Sequence, residues 1–154
     1  MGESELGEFL GSFGWGAGMR TDGDPVMADL ERVGFVCHEA GRGFLRGYLG
    51  LRIDHGPTLV IAGELVRSWT SFDPSVVCTA RDADVAGRCA EVAGADLVPI
   101  GVDSFHLTLY SGSDGKFYAG FDSSVYRYGD DVSALFSMIK VGIRPIVLGE
   151  WVIR

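Results

Sequence analysis

Apolar positions along the chain follow two rhythms. Leu6, Phe9, Leu10 and Phe13 recur every three or four residues, the period of one helix face, and Ser4 stands where it can cap them. Gly14 ends that helix, and Trp15 opens a Gly-rich link to Arg20. Asp24-Pro25 reads as an N-cap followed by proline at the first helical position, so a second helix is expected to about Arg32, closed by Gly34. A third is expected over residues 39–49, with Phe44, Leu45, Tyr48 and Leu49 on one face.

After Gly50 the period shortens. Residues 51–53 and 58–61 read as strands around an Asp54-His55-Gly56-Pro57 turn. Residues 71–74 read as another turn, and Asp82 or Asp84 can begin a helix through Val85, Cys89 and Val92. Residues 97–102 predict a short strand in which Pro99 marks an edge or a bulge. Phe105, Leu107 and Leu109 then alternate with His106, Thr108 and Tyr110. They lead into an Asp114-Gly115 hairpin turn, and Phe117 and Tyr118 start the return strand. Residues 125–128 predict a further strand. Asp130 or Asp131 caps a last helix with Val132, Leu135, Phe136 and Ile139 on its apolar face, ended by Gly142. Helices first, then a largely antiparallel sheet interrupted by one helix, then a closing helix: that order predicts an α+β fold. With 154 residues, no linker and no internal repeat, one domain over residues 1–154 is expected.

Charge narrows the function classes. The 21 acids against 13 bases give a formal charge of −8. Such a chain repels phosphate backbones, which disfavours general nucleic-acid binding. The excess is concentrated near the start, where Glu3, Glu5, Glu8, Asp22, Asp24, Asp29 and Glu31 face Arg20 alone. The three cysteines, Cys37, Cys78 and Cys89, share no CxxC spacing, which disfavours a disulfide framework or a zinc knuckle and fits buried thiols in a reducing compartment. There is no basic-then-apolar leader and no run of 18 apolar residues, so a cytoplasmic protein without membrane contact is expected.

Candidate chemistry is sparse. Cys37-His38 is the only Cys/His neighbour pair, and adjacent helical residues point away from each other, which disfavours a nucleophile–base dyad. His38, His55 and His106 are scattered, so no metal site is expected. Gly14-x-Gly16-x-Gly18 follows a helix, Met19 stands where the dinucleotide fingerprint needs its last glycine, and there is no Walker lysine. No catalytic residue, cofactor or metal is therefore assigned. Trp15 and Phe72 are expected to plug core edges, and Trp69, in an expected loop, is the better exposed anchor.

One ordered set of short motifs is informative. Gly14-Trp15, Gly18-Met19-Arg20, Phe44-Leu45-x-x-Tyr48-Leu49-Gly50-Leu51, Phe72-Asp73-Pro74, Pro99-Ile100-Gly101 and Asp114-Gly115-Lys116-Phe117-Tyr118 resemble, in that order, the SUKH superfamily of bacterial immunity proteins, and most of all its third subgroup. The resemblance spans about residues 10–145. It implies an α+β fold with a central antiparallel sheet and helices around it. It also implies a non-catalytic role, binding and neutralising a cognate toxin, commonly a nuclease or deaminase. The alternatives are a regulatory or scaffold domain of the same fold and, more distantly, a small hydrolase using Cys37 or a histidine.

Much of the motif set reads as structural, so a module that must follow varying toxins is expected to bind through loops and an exposed sheet face. The partner is expected to be basic. Asp22, Asp24, Asp54, Trp69, Asp103, Tyr126 and Asp130 form the candidate partner-binding pool, with carboxylates that can mimic phosphate and aromatic rings that supply contact area.

Overall fold

Three helices precede the sheet. The computed structural model describes residues 1–121, 123–141 and 146–150. Helix α1 (Glu3–Gly11) buries Leu10 and is preceded by Gly2 at its N-cap, two residues earlier than a Ser4 cap would place it. In α2 (Asp24–Val33) the N-cap is Gly23, not Asp24. Asp22 takes over the capping task, accepting the Asp24 backbone N–H at 3.0 Å, which frees the Asp24 carboxylate to pair with Arg42. Gly34 closes the helix in the left-handed region, φ 113°. In α3 (Glu39–Tyr48), His38 is the N-cap. Its Nδ1 accepts from Gly41 N–H at 3.1 Å and its Nε2 lies 3.0 Å from the Ser111 carbonyl, tying the helix start to the sheet.

The sheet follows the chain without a crossover. β1 (Arg52–Ile61), β2 (Glu64–Ser71), β3 (Leu97–Asp103), β4 (Thr108–Gly112), β5 (Phe117–Phe121), β6 (Ser124–Gly129) and β7 (Ile146–Glu150) lie side by side in that order, every pair antiparallel. A 3-10 turn (Pro74–Val77) and α4 (Ala80–Ala93) connect β2 to β3, and α5 (Val132–Val141) precedes β7. This is the expected α+β class, with several local corrections. Residues 54–57 do not form a turn between two strands. β1 runs through them, with an irregularity in pairing between His55 and Leu59. β2 and β7 were not anticipated. The Pro99 strand lies inside the sheet, third of seven, and accommodates the proline with a pairing shift between Pro99 and Gly101. Thr79 caps α4 in a reciprocal box with Asp82, so neither Asp82 nor Asp84 is the cap. Asp131 rather than Asp130 takes the capping place before α5, accepting from Ala134 N–H at 2.7 Å. The Gly142 helix stop lies outside the described residues.

Helices cover both faces. On one face, α3 and α5 enclose an aromatic cluster in which Phe44 meets Tyr48, Phe72, Phe117 and Phe136 with ring centroids 4.7–6.3 Å apart. On the other, α4 lies so close that a Cβ on Gly120 would sit 2.9 Å from the Cys89 sulfur, and one on Gly149 would sit 2.7 Å from Val92 Cγ1. Thr79→Ala removes the hydroxyl half of the α4 box, leaving the backbone N–H of residue 79 on Asp82, and should lower stability by about 1 kcal/mol, read as a reduced urea midpoint at unchanged slope.

Candidate partner-binding surface

The seven candidate residues fall into four places. Asp22 and Asp24 are exposed on the helical layer, with Asp24 paired to Arg42, whose Nε also lies 3.2 Å from Glu39. Asp130 follows the far end of β6 and pairs with Arg127, which holds its carboxyl below the usual range. Asp54, Trp69 and Asp103 gather at the other strand end. Asp54 faces Trp69 across the β1–β2 ladder, and Thr70, next to Trp69, faces Asp103 across β2–β3. Tyr126 lies further along β6, opposite Ala119 and Val147, half-buried against the core.

Trp69 is therefore a strand residue and not a loop residue. Its ring carries the Arg52 guanidinium at 4.6 Å, and Arg52 Nε lies 3.5 Å from Asp54. The three side chains form a cation–π and ion-pair sandwich in which Arg52 and Asp54 are exposed and Trp69 is half-buried. Asp103 does different work. It is 5% exposed, and its Oδ1 accepts from the backbone N–H of Phe105 at 2.9 Å and of Leu107 at 3.0 Å. It organises the β3–β4 loop instead of presenting charge to a partner.

That loop is fixed at three further points. Ser104 N–H donates to the Trp69 carbonyl at 2.9 Å, and Trp69 N–H donates to Ser104 Oγ at 3.1 Å. His106 adopts φ 66°, a left-handed conformation that histidine, like asparagine and aspartate, enters more readily than other non-glycine residues. Phe105 is left 51% exposed at the tip, and Phe121, at the neighbouring end of β5, is 42% exposed. Phe105 and His106 precede β4 and do not alternate within it, so the apolar face expected from Phe105, Leu107 and Leu109 is interrupted here. Alternation assigned Phe105 to the core. The cue available in the chain was Asp103-Ser104, a turn-forming pair placed before it.

Burial raises the Asp103 carboxyl above its ordinary range, and the Leu107, Phe105 and His106 interactions only partly oppose this. The folded state therefore takes up a proton more readily than the unfolded chain. Asp103's contribution is most favourable below its unfolded pKa and declines as pH rises through the folded value. Asp103→Asn keeps an oxygen acceptor for both N–H groups, and should flatten the decline in stability between acid and neutral pH, as followed by urea unfolding at several pH values.

The Cys/His pair does not form a dyad. Burial pushes the Cys37 thiol up to about 11, away from an activated nucleophile, and both His38 ring nitrogens are engaged by Gly41 and Ser111. Among the described residues no group of three or more His, Cys, Asp or Glu side chains could hold a metal ion, and no helix is long and apolar enough to cross a membrane. A shallow groove of about 540 Å³ runs between Gly34–Val36 and the Ala83, Gly87 and Ala90 side of α4.

The shared motif residues serve the scaffold. Trp15 Nε1–H donates to the Gly47 carbonyl at 2.9 Å and its ring stacks on Tyr48 at 5.4 Å. Asp73 caps the 3-10 turn through Ser75 N–H, and Tyr118 O–H donates to Asp114 at 2.6 Å across the hairpin turn. A family model described as SUKH-3 immunity protein matches residues 4–142. No curated protein and no solved structure gives a significant match.

Proposed function

This chain belongs to the SUKH-3 immunity protein family, and from that premise we propose that it acts in the cytoplasm as a non-catalytic inhibitor of one basic toxin, a nuclease or a deaminase. Membership supports the toxin-neutralising role itself. The observation that carries the finer reading is the charge of −8, with the excess of acids in the first 31 residues. Enzymes that act on nucleic acid present basic grooves, and an acidic inhibitor meets them faster than diffusion of neutral partners allows. The exposed acids of the candidate pool, Asp22, Asp24, Asp54 and Asp130, with Trp69 beside Asp54, are the contacts this reading assigns.

Co-expression with the toxin encoded beside the gene tests this reading. Growth should be rescued and a complex recovered. Association should slow by about tenfold or more between about 0.05 and 0.5 M salt, since screening shortens the reach of the acidic field. Absence of both rescue and complex overturns the proposal. A rate indifferent to salt overturns the electrostatic part alone.

A further inference from the structure

The most accessible sulfur of the chain is a thioether. Met19 is 53% exposed in the link between α1 and α2. Met27 is 1% exposed inside α2, Met138 packs half-buried against the core, and Met1 is half-buried with its carbonyl held by the Ser133 hydroxyl. Burial raises all three thiols, so at neutral pH and below little thiolate is present to react. The Met19 sulfur also has a structural task. It accepts the Gly16 N–H at 3.1 Å, and the Met19 N–H donates back to the Gly16 carbonyl at 2.9 Å, so the two residues close a turn from both ends. A Cβ on Gly16 would lie 3.8 Å from Met19 Cγ and 3.9 Å from its sulfur, so the side chain lies along residue 16 and does not extend into water. The Gly16 N–H belongs to the peptide that follows Trp15, whose Nε1–H is bonded to Gly47 and whose ring stacks on Tyr48.

We propose that Met19 is a reversible oxidation site, taking one oxygen from a peroxide before any other sulfur of the chain and opening the Gly16–Met19 turn when it does. The step moves two electrons. A sulfur lone pair attacks one peroxide oxygen, and the O–O bond breaks as the S–O bond forms. The leaving hydroxide takes the proton of the transferred oxygen and departs as water. A methionine sulfoxide reductase reverses the change with two thiols, which leave as a disulfide and water. Oxidation inverts the polarity of the contact. A thioether sulfur is a weak acceptor, whereas a sulfoxide sulfur carries partial positive charge and no longer accepts an N–H. Turning the new oxygen inward instead requires the sulfur to withdraw, because nitrogen and sulfur already touch. Water then takes over the Gly16 N–H. The Thr21 N–H, bonded to the Arg46 carbonyl at 2.8 Å, confines the change to the residues before it. The link that delivers the chain to Asp22 and Asp24 is altered and the sheet is not.

The probe is hydrogen peroxide at pH 6, applied to the whole chain and followed by peptide mass mapping and by amide exchange in NMR spectra. Met19 should gain one oxygen about tenfold faster or more than Met1, Met27 or Met138. The Gly16 amide should then exchange about fivefold faster or more, with the amides of the sheet unchanged. Methionine sulfoxide reductase with a dithiol should restore both the mass and the Gly16 exchange rate. Met19→Leu, which keeps an apolar side chain of similar size without sulfur, should leave the mass of residues 14–20 and the Gly16 amide indifferent to peroxide. A first oxygen on a cysteine or on another methionine overturns the inference. A Met19 sulfoxide whose Gly16 amide keeps its parent rate overturns it as well, because the sulfur would then be exposed without holding the turn.

Discussion

Gly101→Ala should cost about 3 kcal/mol or more and leave much of the protein unfolded under mild denaturant. A Cβ at this position would sit 2.2 Å from the Ser71 carbonyl oxygen, 2.9 Å from Phe72 Cα and 3.0 Å from the Ser71 carbonyl carbon. All three are backbone atoms, so no rotamer change relieves the overlap. The main chain at Phe72 is itself pinned: its carbonyl accepts from Gly50 N–H at 2.8 Å and its N–H donates to Leu51 at 2.9 Å. Moving it away breaks the link from α3 into the sheet. Gly41→Ala makes a useful contrast. The overlap there is with a side-chain atom, Val98 Cγ1 at 2.1 Å, and valine rotation can absorb part of it. The smaller loss should therefore come from Gly41→Ala. Urea denaturation of both variants checks this, and a parent-like midpoint for Gly101→Ala refutes the backbone contact.

Phe44→Ala is expected to cost about 3–5 kcal/mol. The ring is 5% exposed and lies within 4.7 Å of Tyr48, 5.2 Å of Phe72 and 5.3 Å of Phe117, centroid to centroid. These partners come from α3, the end of β2 and β5, so the cavity opens where three elements meet and cannot close by shifting one of them. Edge-to-face geometry with Phe72 and Phe117 adds to the transfer loss. The melting temperature should fall by roughly 10 °C for a domain of this size. Phe44→Leu, which keeps much of the volume, should lose about half of that or less. Equal losses for the two would show that ring geometry dominates over volume.

How far these contacts could be read from the chain differs by element. The apolar spacing of α3 and α5 is regular, Gly34 stops α2 where expected, and Asp114-Gly115 turns the β4–β5 hairpin. β2 escaped because its inward face is polar: Ser68 and Thr70 are buried, with Thr70 Oγ1 bonded to His55 Nε2 at 2.9 Å. With hydroxyls at the buried positions 68 and 70, that stretch has no apolar alternation to detect. β7 is five residues long with a pairing shift on its neighbour β6, too short and too irregular for a period. At the candidate surface, Asp54 and Trp69 were both singled out, but their juxtaposition depends on the β1–β2 pairing, which the misplaced turn at residues 54–57 had removed. Phe105 was hidden for the opposite reason. It fits an alternating pattern with Leu107 and Leu109, and only the hydrogen bonds of Asp103 show that the pattern begins after it.

The cysteines have a practical consequence for chemical labelling. Burial raises all three thiols, Cys37 to about 11 and Cys89 to about 12. At pH 8 Cys37 and Cys89 are thiolate in only about one molecule per thousand or fewer, and thiolate is the species that reacts with maleimides and iodoacetamides. A cysteine placed at Phe105, exposed and with no comparable burial, would react well ahead of both. Cys78, half-buried and less enclosed than Cys89, is the one native thiol to replace before a single fluorophore is placed at the loop tip.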